Sequence, residues 1–213
     1  MFSLIDPGIP LVLASNSPRR SFLIKQIGIP FEAIGTTIKQ EILPHESPRD
    51  HVQRLAEEKA ESIASLRPRQ WIIGADTIVL VNGDVLGKPR DPSDARRMLR
   101  TISGRQHQVM TAFCIRNKSL GARSLGVVQT DVIIKELSSQ EINAYISTGE
   151  PMDKAGAYGA QGIGSFLIRE IRGSYTNVVG LPTREVVEEL LQLGVIQFNP
   201  TNNSMNNQSI PHE

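Results

Sequence analysis

The sequence predicts an α/β protein in which a mixed β-sheet is flanked by helices. Short apolar segments of strand composition alternate along the chain with longer segments of helical periodicity, a pattern typical of α/β folds. A hairpin signal at Asn82-Gly83 and two long adjacent strand segments add antiparallel neighbours. The sheet is therefore expected to be mixed rather than purely parallel.

The first half of the chain alternates strands with helices. Pro18 suits the first position of a helix because its missing N–H costs nothing there, and Gly28 marks the end of that helix. The Asn82-Gly83 pair suits the tight turn of a hairpin. The predicted elements are a strand at 11–14, a helix at 18–27, a strand at 31–35, a helix at 48–66, a strand at 71–75 and a hairpin of strands 78–81 and 84–86.

The second half continues the alternation and ends in a polar tail. Asp91 and Pro92 are suited to the start of one helix, and Ser138 begins a capping sequence for another. The predicted elements are a helix at 91–102, strands at 107–117 and 125–135, a helix at 138–147, a glycine-rich loop at 149–164, a strand at 165–171 and a helix at 182–193. Residues 1–198 are expected to form a single domain, whereas 199–213 have too little apolar surface to offset the entropy of ordering and are expected to be disordered.

The composition of the 213 residues excludes several classes of function. The 23 Lys and Arg nearly balance the 22 Asp and Glu, so no charge excess favours nucleic acid or an anionic membrane as a partner. The single cysteine, Cys114, excludes an internal disulfide, and the four histidines lack the spacing of a zinc site. No apolar run reaches the roughly 18 residues that span a bilayer. No secretory signal is recognised either, so the cytoplasm is the expected location.

The first candidate binding segment follows the first predicted strand and begins a helix. Ser17 can cap that helix, whose free backbone N–H groups favour an anion, and Ser15 precedes the cap. Arg19 and Arg20 add charged donors that suit phosphate. The alternative is an ordinary capped surface helix with solvated arginines, and the residues alone leave both interpretations open.

The second candidate is Asp76, which follows an apolar strand segment and precedes Thr77. A carboxylate in such a position is costly unless it binds a metal, pairs with a cation or transfers protons. If the hairpin register of Val81 opposite Asp84 continues, Thr77 faces Lys88, and Lys88 lies beside Asp76. The alternative is a structural ion pair at the end of a sheet.

Lys59 is the third candidate, because it lies within the apolar face of a predicted helix. At about 100° per residue, Val52, Leu55 and Ile63 fall on the same stripe as Lys59. A lysine in this position either extends its ammonium group to water or meets an anion. The pattern does not decide between the two.

The glycine-rich loop is the fourth candidate. Its glycines permit a close approach of the backbone to a ligand, and polar groups that suit a nucleotide come from Asp153, Lys154, Tyr158 and Gln161. The loop is not a Walker A sequence and lacks the setting of a dinucleotide fingerprint. By itself it is weak support for a ligand site.

Together these segments resemble the Maf family of nucleoside triphosphate pyrophosphatases, over about residues 10 to 194. The motifs occur in the order of that family: Ser15-Asn16-Ser17-Pro18-Arg19-Arg20, Gly74-Ala75-Asp76-Thr77, Gly87-Lys88-Pro89, Gly149-Glu150-Pro151 with Asp153-Lys154-Ala155-Gly156-Ala157-Tyr158, and Asn177-Val178-Val179-Gly180-Leu181-Pro182. The resemblance implies an elongated fold like that of inosine triphosphate pyrophosphatases, with two lobes around a central cleft. It also implies a divalent cation, Mg²⁺ or Mn²⁺, as cofactor.

The resemblance further implies roles for individual residues. Asp76 would accept the proton of a water that attacks the α-phosphorus, and pyrophosphate would leave. Arg19, Thr77 and Gln161 would select the substrate, and these residue types resemble the branch that hydrolyses dTTP and UTP, which implies nucleotide-pool sanitation. Glu41, in Lys39-Gln40-Glu41, would be a metal ligand together with Asp76, although the family often has an acidic pair in this loop and this chain has a single acid.

Both lines of reasoning lead to one mechanism, in which cations neutralise a triphosphate substrate. Those cations are Arg19, Arg20, Lys59 and Lys88, with the divalent metal bridging phosphate oxygens. Two alternatives stay open: a nucleotide-binding regulator of cell division, and a pyrophosphatase with another base preference. No nucleic acid or membrane partner is expected, and a homodimer is one option for assembly.

Overall fold

The computed structural model describes residues 2–199, so the predicted disordered tail lies, apart from Asn199, outside the described residues. The chain forms nine strands and six α-helices within that range. In order, these are β1 Phe2–Leu4, β2 Leu11–Ala14, α1 Pro18–Gln26, β3 Glu32–Ile34, α2 Pro48–Ala64, β4 Trp71–Val81, β5 Asp84–Leu86, α3 Pro92–Ile102, β6 Gln106–Asn117, β7 Ala122–Ile134, α4 Ser139–Ser147, β8 Ile168–Arg172, α5 Tyr175–Val179, α6 Thr183–Gln192 and β9 Ile196–Phe198. Three short 3₁₀ turns, at Glu150–Asp153, Ala155–Ala157 and Ile163–Leu167, lie between α4 and β8.

Seven strands form the central sheet, in the order β3-β2-β4-β6-β7-β8, with β5 paired to β4. β2 is parallel to both β3 and β4, whereas the other pairs are antiparallel. The predicted mixed α/β sheet with flanking helices is therefore confirmed. β1 and β9 form a separate two-stranded antiparallel sheet that joins the two ends of the described chain.

The predicted break between strands 71–75 and 78–81 is wrong, because β4 runs without interruption from Trp71 to Val81. β6 pairs with β4 continuously from Ile72 to Leu80, and this pairing holds the central residues extended. Asp76 therefore lies in the middle of a strand rather than at its end.

The opposite edge of β4 is only partly covered, and this gap creates a cleft. β2 pairs with β4 as far as Gly74, and β5 pairs with it only from Val79 onward. Between these two partners no described strand lies along β4. Because β2 and β5 are both short, Asp76 and Thr77 lie on a stretch of β4 that has no neighbouring strand on this side within the described chain.

Helix α2 packs unusually close to β4, at Gly74. A Cβ atom on this glycine would lie 2.2 Å from the carbonyl oxygen of Ala56 and 2.6 Å from the amide nitrogen of Ala60. Since side chains alternate along a strand, Gly74 and Asp76 face the same side of the sheet. The close approach therefore brings Lys59, which lies in the same turn of α2 as Ala56 and Ala60, over Asp76.

The sequence did not predict β1, β9 or α5, and β8 begins three residues later than expected. β1 and β9 have three residues each and pair only with one another, so their pairing depends on contacts between distant parts of the chain. None of the helices in the described part of the chain is long and apolar enough to cross a membrane.

Candidate active site

The cleft beside β4 has a volume of about 280 Å³ and a strongly cationic lining. It is bordered by the start of α1, one face of α2, the centre of β4, the segment after β5 and the glycine-rich loop. Five cationic side chains and two carboxylates line it: Arg19, Arg20, Lys59, Lys88, Lys154, Asp76 and Asp153. An excess of three positive charges in a confined space favours a polyanionic ligand.

A buried ion pair between Lys59 and Asp76 lies at the wall of the cleft. Lys59 Nζ donates to Asp76 Oδ1 at 2.5 Å, and the two side chains are only 8% and 9% exposed. Burial lowers the pKa of Lys59, and the charge of Asp76 opposes that shift. Asp76 Oδ2 has no protein partner within the described chain and is not sealed from solvent. Lys59 thus meets an anion rather than extending to water, and one oxygen of Asp76 stays available.

Lys88 lines the cleft, but not in the predicted register. The hairpin pairs Val81 with Asp84 as expected, and the ladder then ends at Leu86 opposite Val79. Beyond it, the carbonyl of Gly87 accepts a hydrogen bond from the amide of Gly156 at 3.0 Å. The predicted pairing of Thr77 with Lys88 is therefore wrong, because the glycine-rich loop replaces β4 as the partner of this segment.

Arg20 is fixed by three hydrogen bonds to other parts of the protein. Its Nε donates to the carbonyl of Gly180 at 2.8 Å, Nη1 to Ser15 Oγ at 3.3 Å and Nη2 to Thr77 Oγ1 at 3.0 Å. Burial lowers the pKa of Arg20, although the charge of Asp76 opposes this. Since a guanidinium carries five N–H donors, two remain for a ligand. Arg20 therefore both holds the cleft together and keeps donors free.

The beginning of α1 is capped as predicted and leads into the cleft. Ser17 Oγ accepts from the amide of Arg20 at 3.5 Å, and Ser17 lines the cleft. Ser15 is buried behind it and is not part of the lining; its Oγ accepts from the amide of Ser17 at 3.1 Å. Ser15 thus supports the cap and Arg20 from below rather than facing a ligand.

Arg19 reaches across the cleft to the glycine-rich loop. Arg19 Nη1 lies 2.8 Å from Asp153 Oδ2, and Lys154 Nζ lies 2.7 Å from Asp153 Oδ1. Asp153 is well exposed, with 59% of its side-chain surface accessible, so this contact is screened by water. A phosphate entering the cleft can therefore replace Asp153 as the partner of both cations at little cost.

Gln161 lines the cleft and is half-buried, and the glycines on either side of it lie close to other side chains of the protein. A Cβ on Gly159 would lie 2.7 Å from Lys154 Cε, and one on Gly162 would lie 2.9 Å from Glu150 Oε2. These glycines therefore make room for the side chains of Lys154 and Glu150, and Gly159 also lines the cleft.

Glu41 does not join Asp76. Its side chain is exposed and absent from the cleft lining, whereas its neighbours Gln40 and Ile42 both line the cleft. Only its backbone is engaged, since Arg54 Nη2 donates to the Glu41 carbonyl at 3.0 Å. Within residues 2–199, no three His, Cys, Asp or Glu side chains converge into a group that could hold a metal ion.

His51 is a cleft residue that the sequence reasoning missed. It is 3% exposed and lines the cleft, and its Nδ1 lies 3.0 Å from Glu46 Oε2. Hydrogen bonds from Arg54 lower the pKa of Glu46 to about 2, so Glu46 faces His51 as a carboxylate, and Arg54 Nη2 also lies 3.2 Å from His51 Nδ1. Its spacing of four and eight residues from Leu55 and Lys59 on α2 was the signal that could have identified it.

Comparisons with known proteins address the family of the chain. The sequence pattern of the Maf family, described as Maf-like protein, matches residues 10–193. A protein of Syntrophus aciditrophicus named dTTP/UTP pyrophosphatase is 50% identical over 188 residues, covering 88% of this chain and 92% of its own. One of Geobacter sp. (strain M21) with the same name is 49% identical over 186 residues, covering 87% and 96%.

Among solved structures, the Ham1 protein of Staphylococcus aureus is similar with a TM-score of 0.49 and 14% identity, covering 86% of this chain and 96% of that protein. The match to the Maf pattern spans most of the chain, from before the first cleft residue to the end of α6. The chain belongs to the Maf family.

Proposed function

We propose that the protein is a nucleoside triphosphate pyrophosphatase that hydrolyses dTTP and UTP to the monophosphate and pyrophosphate. The observation that carries the proposal is the carboxylate of Asp76, held by buried Lys59 in a cleft with an excess of three positive charges. A proton acceptor beside a binding site for a polyanion is the arrangement that phosphoanhydride hydrolysis needs. The names of the relatives support pyrimidine triphosphates as the substrates.

In the proposed reaction, Asp76 Oδ2 accepts a proton from a water molecule. The water oxygen forms a bond to the α-phosphorus, the bond from that phosphorus to the bridging oxygen of the β-phosphate breaks, and pyrophosphate leaves. Lys59 holds the carboxylate in place through Oδ1. Arg19 and Lys88 neutralise the phosphate charge that develops, together with the free N–H groups of Arg20.

A divalent cation, Mg²⁺ or Mn²⁺, belongs to this proposal. The donors present fit such an ion, because Mg²⁺ in nucleotide sites is usually held by one or two carboxylates plus substrate phosphates and water. The carboxylate group of Asp76 would contribute to holding it beside the substrate phosphates, whereas the exposed position of Glu41 does not support the second predicted ligand. When bound, the cation would neutralise phosphate charge and polarise the scissile anhydride.

For base selection we propose Gln161, with Thr77 and Arg19 as the other selecting residues. The amide of Gln161 offers both a donor and an acceptor, which complement the O4 and N3–H edge shared by thymine and uracil. Its half-buried position in the cleft lining supports this role. Modified pyrimidines that keep this edge would be accepted as well.

The cytoplasm is the proposed setting, without nucleic acid as a partner. The near-balance of charges supports the absence of a nucleic acid partner. Burial raises the pKa of Cys114 to about 11, so its thiol is unreactive and needs no oxidising compartment. A homodimer and a regulatory role in cell division stay predictions from the family resemblance.

The test is a panel of dTTP, UTP, CTP, ATP and GTP with Mg²⁺ or Mn²⁺, in which pyrophosphate and monophosphate are both quantified. Equimolar monophosphate and pyrophosphate, with UTP and dTTP preferred, is the expected result. In ¹⁸O-labelled water, attack at the α-phosphorus puts the label into the monophosphate. Orthophosphate as the first product, or label only in pyrophosphate, would contradict the proposed reaction.

A further inference from the structure

The position of Gln161 depends on a clamp that anchors the chain on both sides of it. On one side, the amide of Gly159 donates to Tyr145 Oη at 3.1 Å. On the other side, the amides of Ile163 and Gly164 donate to Glu150 Oε2 and Oε1, both at 2.9 Å. Gln161 therefore lies between two points at which the backbone is attached to these two side chains.

The two anchors are joined to one another. Tyr145 Oη donates to Glu150 Oε1 at 3.0 Å. The same hydroxyl accepts from the amide of Gly159, so Tyr145 and Glu150 are linked as well as each binding the loop. Burial raises the pKa of Tyr145, so its hydroxyl keeps the proton that it donates. For Glu150, burial acts to raise the pKa, but the hydrogen bonds from Gly164 and Ile163 outweigh it and the pKa is lowered. Glu150 stays ionised and accepts from three donors.

Glu150 is itself well anchored to the body of the protein. Its backbone amide donates to Thr148 Oγ1 at 3.1 Å, and its carbonyl accepts from Lys154 Nζ at 2.7 Å. Tyr145 is fully buried in α4, where it packs in the core with α3. The clamp thus transmits the rigidity of a helix to the loop that carries Gln161.

Glycines make room for this clamp. A Cβ on Gly164 would lie 2.4 Å from Tyr145 Oη, and Gly162, with φ of +83°, has Glu150 Oε2 at 2.9 Å from the place of its Cβ. No larger residue fits at either position without displacing the anchor. The glycines at 162 and 164 are therefore explained by the clamp.

We propose that Glu150 is a positioning residue that sets the pyrimidine selectivity of the enzyme by holding the loop of Gln161. This inference rests on the proposed function, in which the Gln161 amide reads the base. Uracil and cytosine differ at O4 and N3, and an amide on a loosened loop can turn to suit either one. Glu150 touches none of the residues that hold the phosphates except Lys154, so its loss acts on base selection more than on the chemical step.

The experiment compares kcat and KM for UTP and CTP in the wild type, Glu150→Gln and Tyr145→Phe. Glu150→Gln keeps the volume but loses an acceptor for an amide of the loop, and Tyr145→Phe removes the hydroxyl that joins the two anchors. Glu170→Gln, on an exposed carboxylate paired with Arg172, is the matched control. Thermal unfolding of each variant verifies folding.

We expect the UTP-to-CTP ratio of kcat/KM to fall about 5- to 10-fold in both clamp variants, as for a hydrogen bond worth about 1–1.4 kcal/mol. The fall should appear in KM, which rises for UTP because the amide is less well held and falls or stays the same for CTP because the amide can turn, with kcat retained within about threefold and no change in Glu170→Gln. An equal loss of kcat for both nucleotides, or an unchanged ratio in folded variants, would overturn the inference. Equal use of UTP and CTP by the wild type would overturn it too, while an inactive wild type would instead refute the proposed function.

Discussion

Replacing Lys59 by Met should destabilise the protein, because it leaves the carboxylate of Asp76 without its partner at a buried position. Removing one member of a buried ion pair typically costs about 3–5 kcal/mol. The pair is 8% and 9% exposed and borders the cleft, and Arg20 still acts on Asp76 by its charge. We therefore expect a loss near the lower limit, about 3 kcal/mol.

Whether Lys59→Met lowers the free energy of unfolding distinguishes two interpretations of Lys59. If Lys59 only extended its ammonium group to water from the apolar face of α2, replacement by Met would leave the free energy of unfolding unchanged, because Met keeps the packed part of the side chain. The observed ion pair of Lys59 with Asp76 instead predicts a lower free energy of unfolding for Lys59→Met. A second variant, Lys59→Met with Asp76→Leu, removes both charges and should recover most of the lost stability, because apolar replacement of a whole buried pair is often neutral.

The assay is urea unfolding followed by the fluorescence of Trp71, which is the only tryptophan and lies buried in β4, the strand that carries Asp76. The free energy of unfolding is compared for the wild type, each single variant and the double variant. If Lys59→Met proves as stable as the wild type, or the double variant is less stable than Lys59→Met, the pair does not hold a desolvated charge and the reasoning is refuted.

Three further outcomes are expected. Asp76→Asn should lower turnover by several orders of magnitude, since it removes the proton acceptor at constant volume, and the protein should still fold because the amide oxygen can accept from Lys59 Nζ, although with some loss of stability; near-normal turnover in the folded variant excludes that role. Gln161→Glu should lower kcat/KM for UTP by about 5- to 150-fold, the cost of a lost buried hydrogen bond of about 1–3 kcal/mol, whereas unchanged UTP kinetics would remove Gln161 as the base reader. Burial lowers the pKa of His107 from its ordinary value of 6.5 to about 4. At pH values between these two, the unfolded chain therefore binds a proton that the folded chain does not. Stability should therefore fall by about 2 kcal/mol between pH 7 and pH 5, and urea unfolding should show a smaller fall in His107→Gln; an equal fall would contradict the assignment.

Local patterns account for the parts of the fold that were predicted correctly. The capped start of α1 at Ser17 and Pro18, the hairpin at Asn82-Gly83 and the capping box at Ser138 follow from residues within a few positions of one another. The short strands β1 and β9 were missed because nothing in their own sequences requires a partner.

The sequence by itself determined the family, through five ordered motifs, and the mixed α/β class, through alternating apolar periodicity. It also identified Asp76 and Lys59 as costly in their local settings and Arg20 as a candidate phosphate donor. Only the tertiary structure decided that Lys59, 17 residues away, rather than Lys88 pairs with Asp76, and that Arg19 meets Asp153 across 134 residues. Such contacts depend on how close α2 packs to Gly74 and where β5 leaves β4, and those distances arise from the packing of whole elements rather than from any local pattern.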